Sequence, residues 1–365
     1  MAMRPLYSPQ IPLSHPVLGD EEVAAVEQVL RAGQLAAGPE VRSFEAEFAA
    51  HCGARFGIAV NNGTTALELA LRGLGIGPGD EVIVPSFTFI ATANAVCMVG
   101  ARPVFADIDP VTMCVSAATV APLLSSATAA IIAVHLYGHP APVDALAALC
   151  SKHGCALVED SAQALGTRWR GRHVGTTGSA GVFSFYATKA VTTGEGGMLI
   201  TNDPELSERL RMLRNHGARE VGMHLGVGTN ARMSEIAAAI GRVQLRGLEA
   251  RNEARRVHAR AYDQALAGVV EHPRCAPDAV HAQHQYTIQV DDRPRLLAAL
   301  ERASVGYGLY YPRPCHMQPA FARERPSLPH TERAAARVVS LPVRHDLAEA
   351  ERDTVIAAVR RGARE

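Results

Sequence analysis

The chain of 365 residues is 48% hydrophobic and carries 36 basic and 36 acidic side chains, for a formal net charge of zero. That length and apolar content suffice for one large core plus a smaller second unit, and lie far from a disordered composition. A balanced charge favours neither nucleic acid nor an anionic membrane, so neither is expected as a partner and small molecules are. Seven cysteines, at 52, 97, 114, 150, 155, 275 and 315, are scattered without a Cys-x-x-Cys pair and read as reduced and mostly buried. The adjacent Cys315 and His316 point to opposite faces of an extended segment, so no metal site is expected. No apolar run approaches the roughly 20 residues of a membrane span, and Met1-Ala-Met-Arg-Pro5 has no hydrophobic leader, which makes a cytoplasmic location the default expectation.

In chain order, Asp20-Glu-Glu-Val-Ala-Ala-Val-Glu-Gln-Val-Leu-Arg31 opens with acidic residues, keeps apolar residues at helical spacing and stops at Gly33, which predicts a capped helix. A second helix is predicted from Val41 to Ala50. Short apolar strands follow at 56–60, 81–84, 103–106, 130–134, 156–158 and 181–184, most of them separated by helical stretches, with 197–201 a further member. Continuous apolar strands interleaved with helices predict an α/β fold: a mostly parallel sheet buried on both faces. From Ser234 one long helical pattern runs through the basic stretch 251–260 and is expected to join two domains. Beyond it lie a strand at 284–290, a helix from Pro294, a Pro-rich loop at Tyr311-Pro-Arg-Pro314 and a closing helix from Leu347, which together predict a small α+β unit. The expected division is a large domain over 1–245 and a small one over 246–365.

Ligands of an open α/β sheet bind beyond the carboxyl ends of the strands, so the residues just after each apolar run carry the functional information. After 56–60 comes Asn61-Asn-Gly-Thr-Thr65, a Gly-containing turn into a helix. Its amides, helix dipole and two hydroxyls suit a phosphate monoester, although Thr64 reads equally as an ordinary cap. After 81–84, Phe87 and Phe89 enter a helix. One of them can lie against a flat ring while the other belongs to the core. After 156–158 come Glu159, Asp160 and, one turn later, Gln163. Strand alternation lets only one of the two carboxylates face a ligand, and Asp160 is the better placed, leaving Glu159 as a solvated or capping group. A carboxylate there can pair with a protonated pyridine nitrogen, and Gln163 can reach the phenolic oxygen of the same ring. After 181–184 come Ser184, whose hydroxyl can serve the phosphate, and Lys189 ahead of Thr192-Thr-Gly-Glu-Gly-Gly197. A lysine becomes a nucleophile when a dry site lowers its pKa, whereas beside flexible glycines it is more often a solvated turn residue. Phosphate cup, carboxylate, ring stack and amine together describe a site for pyridoxal 5'-phosphate.

The runs Asn62-Gly-Thr-Thr-Ala-Leu67, Pro85-Ser-Phe-Thr-Phe89, Val158-Glu-Asp-Ser-Ala-Gln-Ala-Leu-Gly166 and Phe183-Ser-Phe-Tyr-Ala-Thr-Lys189 together resemble the DegT/StrS family of sugar aminotransferases. Further segments extend the likeness from Ile11-Pro-Leu-Ser14 to Ser340-Leu-Pro342. The resemblance implies the fold-type I architecture of pyridoxal phosphate enzymes, aspartate aminotransferase-like, and a homodimer with active sites at the subunit interface. It implies that Lys189 carries the cofactor covalently, that Asp160 pairs with the ring nitrogen and that Phe89 stacks. Gly63, Thr64, Thr65, Ser184 and Gln163 then hold phosphate and ring oxygen, and Asn230 reaches the phosphate from the partner subunit, although it also reads as a helix cap. Arg232 and His316 match segments near the substrate, and His316 reads equally as a loop histidine. Two departures from the family pattern are Ala190, commonly asparagine, and Ala231, usually aromatic.

A retained lysine implies amino transfer, from glutamate or glutamine to the 3-keto or 4-keto group of a nucleotide-linked deoxyhexose, by a ping-pong mechanism. Arg211, Arg214, Arg232 and Arg313 are cations available for the donor carboxylate and the diphosphate but unassigned, and most of them are expected to be structural or solvated. The rival readings are an aminotransferase for a non-nucleotide cyclic ketone and a noncatalytic regulator that kept the fold.

Overall fold

The computed structural model describes residues 9–322 and 326–363, so the opening Met1–Pro5 segment read above lies outside the described residues. A seven-stranded sheet runs in the order Phe56–Val60, Gly197–Thr201, Ala180–Ser184, Ala156–Asp160, Thr128–Val134, Glu81–Pro85, Arg102–Ala106. All neighbours pair in parallel except around Gly197–Thr201, which runs against both Phe56–Val60 and Ala180–Ser184. Because the other six strands share one direction, their carboxyl ends lie along one edge, where the helices and loops that follow them begin.

The strands read as unbroken apolar runs because both faces are covered. One apolar cluster packs Ile58, Leu69, Ile83, Ile131 and Val158 with the helices Gly63–Gly73 and Val143–His153. On the other side Phe44 and Phe48, from the helix Pro39–Cys52, meet Phe183 and Phe185. The ring of Phe48 lies edge-on to that of Phe183, with centroids 5.0 Å apart. A third cluster gathers Ile11 with Tyr262, Ile288, Leu296, Val339 and Val355, around the antiparallel pair Tyr286–Gln289 and Val338–Leu341.

Local signals fix most helix ends. Asp20–Ala32 carries three acidic residues in its first turn and ends at Gly33 in the left-handed region, φ 72°. The helical pattern expected to run unbroken from Ser234 is instead two helices, Glu235–Arg246 and Leu248–Ala265, parted at Gly247. Glycine is the weakest non-proline helix former, and periodicity alone does not register a break of one residue.

The start of Pro39–Cys52 is capped from a distance. Its cap position, Gly38, has no side chain to offer. The buried carboxylate of Glu235 accepts the amides of Gly38 at 2.8 Å, Glu40 at 2.8 Å and Val41 at 3.2 Å. A Cβ on Gly38 would lie 2.5 Å from a Glu235 oxygen, so close approach is what requires glycine there. Glu235→Ala is expected to cost about 3 kcal/mol through three lost charge-assisted contacts. The check is the urea midpoint, which should fall at unchanged slope.

Candidate active site

Four chain segments converge at the carboxyl edge of the sheet. Behind Phe56–Val60 the helix Gly63–Gly73 starts with Asn62 as its cap, the side-chain oxygen of Asn62 accepting the Thr65 amide at 2.8 Å. Thr64 is therefore not the cap. The hydroxyls of Thr64 and Thr65 and the amides of Gly63 and Thr64 have no partner among the described residues. A Cβ on Gly63 would come within 2.9 Å of Ser184 Cβ, so glycine lets this helix start press against the strand end Ala180–Ser184. Ser184 itself is half-buried, with its Oγ facing the Tyr186 amide at 3.4 Å.

Asp160 ends its strand only 5% exposed, with Oδ2 accepting from the Thr92 hydroxyl at 2.9 Å and Oδ1 from the Ala162 amide at 3.1 Å. Burial raises its pKa, against the pull of the Ala162 amide, the Thr92 hydroxyl and the Lys189 charge. Lys189 follows the Ser184 strand end through a turn closed by its amide on the Tyr186 carbonyl at 2.9 Å. The residue is half-buried, yet the desolvated amine is lowered from 10.5 to about 8, with the Asp160 carboxylate opposing the shift. Gln163 donates from Nε2 to the Tyr311 hydroxyl at 3.0 Å and accepts the Tyr137 amide at 2.7 Å. Phe89 is 48% exposed and its ring centre stands 6.0 Å from that of Tyr311. Phe87 is the aromatic that belongs to the core, at 1% exposure.

Several expectations are corrected. Glu159 is neither solvated nor a helix cap: fully buried, it takes His135 Nε2 at 3.0 Å and the amides of Gly175, Thr177 and Gly178 at 2.7 Å each. Burial would raise its pKa, but the bond from His135 and the Gly178 and Gly175 amides hold it below the usual carboxylate range. Arg211 and Arg214 are not open to a ligand, since both bind the buried Glu45. His316 is 1% exposed and turned into the protein, with Nδ1 on the Ser86 hydroxyl at 2.6 Å and Nε2 3.4 Å from Glu332. It offers no open face to a substrate, because the loop it closes consumes its polar atoms.

Asn230 and Arg232 are exposed on this chain, Arg232 donating to the Asn215 side chain at 2.9 Å, and Arg313 is exposed as well. Ala190 is half-buried against the phenylalanine cluster and Ala231 fully buried, which accounts for small apolar residues at both places. Thr92, Ser86 and Tyr311 escaped the sequence reading. Thr92 stands one helical turn beyond Phe89, a spacing that could have flagged it, whereas Tyr311 arrives from 148 residues beyond Gln163 with no local signal.

Among the described residues no group of three metal-ligating side chains converges, and no helix is long and apolar enough to cross a membrane. A desolvated amine, a buried carboxylate and an open helix start thus meet at the carboxyl edge of a mostly parallel sheet. The model of the DegT/DnrJ/EryC1/StrS aminotransferase family matches residues 16–360, and the chain belongs to that family. It is similar to a dTDP-3-amino-3,4,6-trideoxy-alpha-D-glucose transaminase of Streptomyces venezuelae, 45% identical over 351 residues that cover 93% of this chain and 91% of that protein. A pleiotropic regulatory protein of Geobacillus stearothermophilus is 40% identical over 350 residues, 94% of each chain. Among solved structures, S. venezuelae DesV in complex with a ketimine intermediate superposes with a TM-score of 0.92 at 44% identity, covering 94% of this chain and 95% of that one. The fold is therefore that of the family's aminotransferases.

Between about pH 8 and the ordinary 10.5 the Lys189 amine is neutral in the folded protein and charged in the unfolded chain, so over that window this group adds stability as pH rises. Acetic anhydride labelling of the cofactor-free protein, followed by peptide mass spectrometry, is expected to reach half its limiting rate at Lys189 near pH 8. A midpoint at the ordinary lysine value would refute the desolvated amine.

Proposed function

We propose that this protein is a pyridoxal phosphate-dependent aminotransferase that moves an amino group from glutamate or glutamine to the 3-keto or 4-keto group of a nucleotide-linked deoxyhexose. The single observation that carries the reading is the desolvated Lys189 amine facing the buried Asp160 carboxylate beside an uncommitted helix start. The names of the Streptomyces relatives support the substrate class. A regulatory role of the kind the Geobacillus relative's name carries leaves the lowered pKa of Lys189 without a purpose.

The residues present fit the cofactor. Asp160 is a buried carboxylate held on both oxygens yet raised in pKa, the state expected of a group whose cation partner is a ligand. The amides of Gly63 and Thr64, with the hydroxyls of Thr64, Thr65 and Ser184, offer phosphate donors at a helix start whose dipole favours an anion. Pyridoxal phosphate, when bound, supplies the electron sink that stabilises the carbanion left when a proton departs from the substrate carbon.

The chain does the rest. Lys189 holds the cofactor between turnovers. Once free, its amine, with a pKa near 8, would act as the general base that takes the donor's α proton and passes it on within the same half-reaction, and would run the transfer in reverse on the acceptor in the second. Asp160 would pair with the ring nitrogen and favour its protonated form, Phe89 would lie against the ring, and Gln163, already bonded to Tyr311 and Tyr137, would lie toward its phenolic oxygen. The exposed Asn230 and Arg232 support a homodimer in which these side chains serve the partner's site. Val221, Met223, Leu225 and Val227 nearby are exposed apolar residues that a second copy would cover. The third apolar cluster, drawn from residues 259–359 apart from Ile11, supports a small unit within 246–365 beside a cofactor-holding unit over 1–245, while Cys315, Leu328 and Ala334 pack into the large cluster.

The purified protein is expected to be yellow, to change its visible spectrum with glutamate and to yield a borohydride-trapped adduct on Lys189. Lys189→Ala should lose both the trapped adduct and turnover. A colourless protein that takes up no pyridoxal phosphate would sink the proposal, and mass spectrometry of glutamate incubations with keto sugar nucleotides would identify the acceptor.

A further inference from the structure

Two stretches far apart in sequence are stitched together at the carboxyl edge of the sheet: the loop after Glu81–Pro85 and the segment 310–317. The Cys315 amide donates to the Ser86 carbonyl at 2.9 Å, and Cys315 Sγ approaches the Thr88 carbonyl at 3.5 Å. Between them Ser86 and His316 form a closed pair, with the His316 amide donating to Ser86 Oγ at 3.1 Å and Ser86 Oγ standing 2.6 Å from His316 Nδ1. The Ser86 hydroxyl proton has no other acceptor among the described residues, so it goes to Nδ1 and leaves the ring's own hydrogen on Nε2, toward Glu332 at 3.4 Å. Both residues are sealed from solvent, Ser86 at 0% and His316 at 1% exposure, where a hydrogen bond that is broken is not replaced by water.

What this pair joins are the two walls of the proposed ring site. Beyond Ser86 the loop carries Phe89 and then Thr92, which bonds Asp160. Ahead of His316 the segment carries Tyr311, whose ring faces Phe89 at 6.0 Å and whose hydroxyl is held by Gln163. The spacing of Phe89 and Tyr311 therefore depends on the relative placement of two loops, and Ser86–His316 is a buried hydrogen bond between side chains of the two. We propose that His316 is a positioning residue: through Ser86 it sets Phe89 and Tyr311 at the separation that orients the bound ring. The inference rests on the cofactor reading above and assigns His316 a role without substrate contact.

The test reconstitutes wild type, Ser86→Ala, His316→Leu, the double variant and His316→Asn with pyridoxal phosphate. Visible circular dichroism per mole of bound cofactor reports ring orientation, and absorbance titration gives the cofactor Kd. Each single removal is expected to weaken cofactor binding about tenfold and to change the visible dichroism at least about twofold. The double variant should lose no more than Ser86→Ala, which removes the side-chain bond together with the His316 amide bond, whereas His316→Leu removes the side-chain bond alone. His316→Asn, whose amide oxygen can accept where Nδ1 does, should keep the dichroism within about twofold of wild type. If His316→Leu does not fold, Ser86→Ala and His316→Asn still decide. A colourless wild type overturns the cofactor reading and this proposal with it. A yellow wild type whose single variants keep unchanged dichroism, or whose losses add in the double variant, overturns this proposal alone.

Discussion

Desolvation at the carboxyl edge of the sheet is the constraint on which the rest depends. Six strands running one way bring their ends to a common edge, where Asp160 is buried and Lys189 half-buried. There burial disfavours the charged form of either group, so the Lys189 pKa falls and the Asp160 pKa rises by the same mechanism. Each partly relieves the other, and neither shift is cancelled. The chemistry proposed for this chain needs that residual imbalance: an amine that can lose its proton near neutral pH, opposite a carboxylate that gains most when a cation arrives.

Other buried carboxylates are treated differently, and the contrast separates architecture from function. Glu45 is matched by Arg211, Arg214 and the Ala59 amide, Glu159 by His135 and three loop amides, Glu235 by three amides at a helix start. Each ties together parts of the chain that are distant in sequence, and each is compensated within the protein. Asp160 is the neighbour of Glu159 on one strand, yet strand alternation sends the two to opposite sides. One is spent on the fold while the other keeps capacity for a ligand.

Much of the site was legible because its parts are local. A helix start after a strand, a carboxylate at a strand end and a lysine after a strand are each encoded within a few residues, which is why Gly63, Asp160 and Lys189 could be picked out from their surroundings. The strands were equally plain, since burial on both faces leaves an unbroken apolar run. What the sequence left open lies where a residue's fate depends on remote partners. His316 sits in a loop motif that suggests ligand contact, but its polar atoms meet Ser86, 230 residues away. Arg211 and Arg214 looked available until the fold brought Glu45 to them, 166 and 169 residues apart. The break at Gly247 escaped notice because one glycine does not disturb an apolar period.

By itself the sequence determined the fold class, the order of the main strands and helices, the candidate residues at the strand ends and the family to which the chain belongs. These follow from periodicity and short motifs, whose physics acts over a few residues. Only the tertiary structure decided which polar groups stay uncommitted. A cation or a carboxylate serves a ligand only if no partner inside the protein has already claimed it, and those partners arrive through folding, from 16 residues away at Glu159 and from 166 at Arg211.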